Sequence, residues 1–179
     1  AMVSANGRVI YVMDEGSRTS ILLPSHWQLI ARDAFNGTIL WKKPIPEWHN
    51  QLWPLKSGPT QLARRLVVGG DRIYVTPSIA ATLECIDAAT GEVLHQYEGT
   101  KSTEEVLHVV ASDTAPASDS PASSKMRVLV ALVNHGDSEL KEFAPKLNTG
   151  DQGRVATQYS WDGKPREVVV LDAESGAIL

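Results

Sequence analysis

The 179-residue sequence predicts an all-β chain assembled from repeated four-stranded antiparallel units. Three observations carry that expectation. One short turn motif recurs three times between apolar runs. A second strand-type run recurs ahead of it. The middle copy shows four strand-type runs in succession.

The turn motif is Asp-Ala-x-[Asn/Thr/Ser]-Gly. It lies within Leu29–Trp41, Leu83–His95 and Val168–Leu179, each time flanked by apolar residues. Its chemistry is that of a tight hairpin. An aspartate that ends a strand can accept hydrogen bonds from the next turn amides, and Asn, Thr or Ser suits a turn for the same reason. The glycine supplies the left-handed residue that closes a type I turn with a bulge. Asp33, Asp87 and Asp172 are therefore read as turn caps rather than as catalytic acids.

The second unit is Gly7–Val12, repeated as Gly70–Val75; both hold an Arg and an Ile-Tyr-Val run. Lys125–Ala131 reads as the third counterpart, with Arg127 in the place of Arg8 and Arg72. Ahead of Gly70, Leu66-Val67-Val68 followed by Gly69-Gly70 reads as a strand entering a two-residue turn. The middle unit thus has strands at about 65–68, 72–76, 82–87 and 92–97, and four short antiparallel strands per unit describe a propeller blade.

The expected architecture is a β-propeller segment with an incomplete ring. Blade one covers 1–54, with its first strand missing and a connector behind it; blade two covers 55–98; blade three covers 99–179, with its last strand cut short. Asp33 and Asp87 are 54 residues apart, but Asp87 and Asp172 are 85 apart, so blade three must carry insertions. The Pro/Ala/Ser-rich stretch 112–124 and the Pro-, Gly- and charge-containing stretch 138–166 fit that role. Three blades cannot close a ring, so the outer faces of blades one and three are expected to promote self-association or marginal stability.

The net charge of −4 argues against a nucleic-acid partner or an anionic membrane surface, which need clustered Lys and Arg. No apolar run reaches the roughly 18 residues of a membrane span. The single cysteine, Cys85, excludes an internal disulfide and falls inside a strand run, as a buried thiol would. His26, His49, His95, His108 and His135 show no metal-ligand spacing, so no metal site is expected. The densest functional candidate is Ile45–Pro54. There Trp48, His49, Asn50 and Trp53 could form a stacking and hydrogen-bonding platform for a sugar or other flat ligand, or a connector whose tryptophans fill the gap between sheets.

The pattern Ala-x-Asp-x-x-Thr-Gly-x-x-x-Trp resembles the repeat signature of the pyrroloquinoline-quinone-like propellers. That superfamily includes quinoprotein alcohol dehydrogenases and the periplasmic propeller lipoprotein of the outer-membrane β-barrel assembly machinery. The first copy keeps Ala31, Asp33, Gly37 and Trp41, with Asn36 for Thr. The second keeps Asp87, Thr90 and Gly91, with Cys85 for Ala and His95 for Trp. The third keeps Asp172 and Gly176, with Ser175 for Thr, and the sequence ends before the Trp position.

The resemblance implies that Trp41 packs between blades one and two, and that His95 makes a looser contact in the equivalent slot. Enzymes of the family hold the quinone on the propeller axis with an acidic residue, a calcium or lanthanide ion and a disulfide between neighbouring cysteines. One cysteine cannot form that disulfide, and no Asp/Asn/Glu cluster has calcium-ligand spacing. The expectation is a non-catalytic scaffold or binding module of a larger exported bacterial protein, periplasmic or in the cell envelope. No cofactor is expected. Its partners would be the remaining blades and a protein or carbohydrate ligand. The alternative is a fragment of a quinoprotein dehydrogenase, dependent on pyrroloquinoline quinone, whose catalytic residues lie outside this segment.

Overall fold

The computed structural model describes residues 1–17, 19, 25–46, 48, 64–78, 81–110, 127–134 and 165–179. Its local logic starts at the three turns. In each, the aspartate Oδ1 accepts from the second and third backbone amides after it: Phe35 and Asn36 on Asp33, Ala89 and Thr90 on Asp87, Glu174 and Ser175 on Asp172, all at 2.7–3.1 Å. The aspartate carbonyl then accepts from the glycine amide four residues on, and its own N–H donates to the carbonyl of Thr38, Glu92 or Ala177. Gly37, Gly91 and Gly176 close the turns at φ of 75°, 78° and 74°, where a side chain would be strained.

These turns join strands into three antiparallel sheets, and the described residues contain no helix. Sheet one is β1 (Met2–Ala5), β2 (Arg8–Asp14), β3 (Trp27–Asp33) and β4 (Ile39–Pro44). Sheet two is β5 (Leu66–Gly69), β6 (Arg72–Val75), β7 (Leu83–Asp87) and β8 (Val93–Tyr97). Sheet three is β9 (Thr103–Val110), β10 (Arg127–Asn134) and β11 (Arg166–Asp172), with a single further bridge between Leu171 and Ile178. Within each sheet the strands follow chain order. Sheets one and two carry the same bulge, between Ala31 and Arg32 and between Cys85 and Ile86.

Alternate residues of a strand point to opposite faces, so each sheet has two packing surfaces. Ile10, Leu29 and Ala31 of sheet one meet Leu66, Ile73, Val75, Ile86 and Ala88 of sheet two in one buried core. The opposite face of sheet two, with Tyr74, Leu83, Cys85 and Tyr97, meets Val106, Leu129, Ala131, Val133, Val169 and Leu171 of sheet three in a second. The sheets therefore stack in sequence order. Their first strands adjoin, β1 beside β5 and β5 beside β9, and the Val106 amide donates to the Arg64 carbonyl at 2.8 Å.

Two expectations are corrected. The first strand of sheet one is present: Met2–Ala5 pairs with Arg8–Tyr11 across an Asn6-Gly7 turn, both residues at positive φ. Four residues and a two-residue turn suffice, the same length as β5. The alignment of the third copy also moves by one. Asp33 pairs with Arg8, Asp87 with Arg72, but Asp172 with Val128. Arg127 instead matches Gly7 and Asp71, whose carbonyls, like its own, accept from the alanine that follows each turn aspartate. Stretch 112–124 lies outside the described residues, as does 138–164, and Arg166 already begins β11.

The turn carboxylates give the fold a pH dependence. The backbone amides of Thr90 and Ala89 hold Asp87 below the usual carboxylate range, and the amide and hydroxyl of Ser175 do the same for Asp172. A depressed folded pKa contributes stability that is present above the unfolded value of about 3.9 and is lost as pH falls through the lower folded value. The urea midpoint is expected to fall as pH drops below about 4. Asp87→Asn with Asp172→Asn should flatten that fall, and an unchanged slope would contradict the assignment.

Candidate functional site

The junctions between sheets are built from equivalent parts, and one of them borders a cleft. At the first junction, Trp41 of β4 lies against the turn of sheet two. Its indole Nε1–H donates to the Ala88 carbonyl at 3.1 Å. A Cβ placed on Gly91 would come within 2.8 Å of the indole, so only a glycine lets the ring approach. Trp41 is half-buried, less enclosed than the resemblance implied, because it sits at the edge strand with one side toward solvent.

At the second junction His95 of β8 takes the Trp41 position, opposite Cys85 as Trp41 is opposite Ala31. It lies against Gly176 as Trp41 lies against Gly91. The imidazole is smaller, and the inter-sheet hydrogen bond passes to another side chain: the Tyr97 hydroxyl donates to the Ala173 carbonyl at 2.6 Å. His95 packs edge-on against Tyr97, ring centres 4.8 Å apart. Beside His95 lies a cleft of about 420 Å³, lined by Arg72, Tyr74, Cys85, Leu94, His95, Arg127, Ala173 and Glu174.

The floor of the cleft is buried and its rim is charged. Tyr74 is 1% exposed and stacks on His108, ring centres 5.3 Å apart. Burial, then the neighbouring Cys85, pushes its hydroxyl up to about 12 against the opposing pull of Arg127 and Arg72. Burial likewise raises the Cys85 thiol, which makes it a poor nucleophile at neutral pH. Arg72, Arg127 and Glu174 are exposed at the mouth. Such a lining can bind and orient; it pairs no base with a nucleophile within hydrogen-bond reach.

Of the platform residues, only Trp48 is described; His49, Asn50 and Trp53 lie outside the described residues. Trp48 is 3% exposed, inside the core between sheets one and two, with the Arg65 guanidinium 4.5 Å above its ring. Arg65 is itself buried, and desolvation brings its pKa down to about 10. Among the described residues no group of three or more His, Cys, Asp or Glu is arranged to hold a metal ion. The cleft residues Arg72, Tyr74, Arg127 and Glu174 were missed by sequence reasoning. The signal was the exchange of Trp41 for His95 together with that of Asp71 for Arg127, and the second is visible only in the corrected register.

No family model and no curated protein matches this chain.

Trp41 and Gly91 supply a direct check. Ala at Gly37, where nothing lies within 4 Å, should cost about 1–2 kcal/mol for left-handed backbone alone. Ala at Gly91 should cost about 1–3 kcal/mol more, because the indole must also move. Urea unfolding of the two variants measures the difference, and equal costs would remove the indole from the junction.

Proposed function

We propose that the three sheets are consecutive blades of a β-propeller of the pyrroloquinoline-quinone-like repeat type, acting as a non-catalytic scaffold and interaction module in a larger exported protein. The carrying observation is the uncovered face of sheet three. Leu29, Leu83 and the structurally equivalent Val168 are 1%, 0% and 62% exposed. Leu29 is covered by sheet two and Leu83 by sheet three. Val168 shares its face with Val130, Leu132, Val170 and the 47%-exposed Leu107, an apolar surface in the position that receives the next sheet at both earlier junctions.

Radial repetition of such sheets, inner strands together, is how a propeller protects its edges. The adjoining of the first strands β1, β5 and β9 supports that reading. The envelope location and the membership of a larger exported protein come from the resemblance of the repeat motif alone. The scaffold reading fits a chain whose repeated residues are all committed to turns and junctions.

The exposed face is expected to drive association of the 179-residue chain. Sedimentation velocity over a concentration series should show oligomers that Leu107→Glu with Val168→Glu reduces to monomer. A wild-type chain that stays monomeric throughout and melts sharply would contradict the reading.

A further inference from the structure

At the first junction Arg8 of sheet one pairs with Asp71 of sheet two, Nη1 to Oδ1 at 3.3 Å, and Asn6 Nδ2 donates to the same oxygen at 2.9 Å. The equivalent positions at the second junction are Arg72 and Arg127, by the pairing of Arg8 and Arg72 with the turn aspartates and by the shared carbonyl bond of Asp71 and Arg127. Strand alternation points Arg72 toward sheet three, on the side of Tyr74, and Arg127 toward sheet two, on the side of Leu129. An acid–base pair has become two arginines that border one cleft.

Like charges so placed repel, and neither guanidinium makes a hydrogen bond or ion pair with a described residue. Arg72 also feels Asp87, whose carboxylate is already committed to the turn amides. Glu174 shares the rim without forming an ion pair with either arginine, leaving the three charged lining groups at a net of one positive. The same junction has also lost its indole. Relative to the first junction, the second thus has a smaller ring, imidazole for indole, and an arginine where the first has the Asp71 carboxylate.

We propose that the cleft binds a small aromatic carboxylate. Its ring would lie in the cleft beside His95, with Tyr74 and Ala173 among the lining residues. Its carboxylate would take the place of Asp71, accepting from Arg72 and Arg127; guanidinium–carboxylate pairs are charge-assisted and directional. The ligand would complete the second junction as Trp41 and Asp71 complete the first, and so would stiffen the stack of sheets two and three. This holds whether or not the sheets belong to a closed ring.

Isothermal titration calorimetry of the full chain with indole-3-acetate, its cationic counterpart tryptamine and inorganic sulfate tests the assignment. Saturable binding is expected for indole-3-acetate, at least about tenfold tighter than for either control. Arg127→Asp should weaken it by at least about tenfold while restoring an ion pair with Arg72, so its melting temperature should not fall. His95→Trp should abolish binding by filling the cleft. If that variant does not fold, Arg127→Asp decides alone. Tryptamine or sulfate binding as tightly, undiminished binding in Arg127→Asp, or no saturable binding of indole-3-acetate would each overturn the proposal.

Discussion

A single carboxylate with two turn amides in its grasp organises each of the three sheets. By fixing the turn after β3, β7 and β11, Asp33, Asp87 and Asp172 set the register of the strands on either side. The same turn places a glycine at positive φ, and at Gly91 and Gly176 the preceding sheet lays a ring against it. Closing the hairpin and creating the docking surface are thus one event. The alanine after each aspartate adds to it, its amide tied to the carbonyl of Gly7, Asp71 or Arg127 where the second strand begins and, at two junctions, its carbonyl bonded by the neighbouring sheet.

With the turns equivalent, differences between junctions fall on side chains, where they become legible as chemistry. Trp41 fills its junction and binds a carbonyl with one residue. At the next junction those tasks are divided: Tyr97 makes the bond, and His95 supplies a smaller ring. A polar cleft follows from that division. Burying the Tyr97 hydroxyl without a partner would be costly, so its 2.6 Å bond to the Ala173 carbonyl is what makes the exchange tolerable.

The turns and the order of the strands could be read from sequence because their chemistry is local: an aspartate, a small hydroxyl or amide residue and a glycine at fixed offsets. Strand β1 escaped notice because Met2–Ala5 is too short to show a period and one of its residues is a serine. The facing of the sheets also escaped, since a strand such as Arg127–Asn134 is apolar almost throughout although only its alternate residues Leu129, Ala131 and Val133 are buried. The cleft was hidden by aligning the third copy on its arginine. Pairing with the aspartate, a backbone property, shifts that copy by one and reveals the facing arginines. Trp48 illustrates the remaining ambiguity: an aromatic in a connector serves a ligand or a core equally well, and here its ring is in the core beneath Arg65.

The central claim is that the three aspartate turns are the equivalent anchors of the fold, and amide hydrogen exchange measures this residue by residue. Gly37, Gly91 and Gly176, whose amides each donate to the aspartate four residues earlier, should exchange as slowly as the strand amides of their own sheets. Ala34, Ala88 and Ala173 should be protected with them. Exchange of these six amides at the rates of an unstructured peptide, while the strand amides remain protected, would contradict the account.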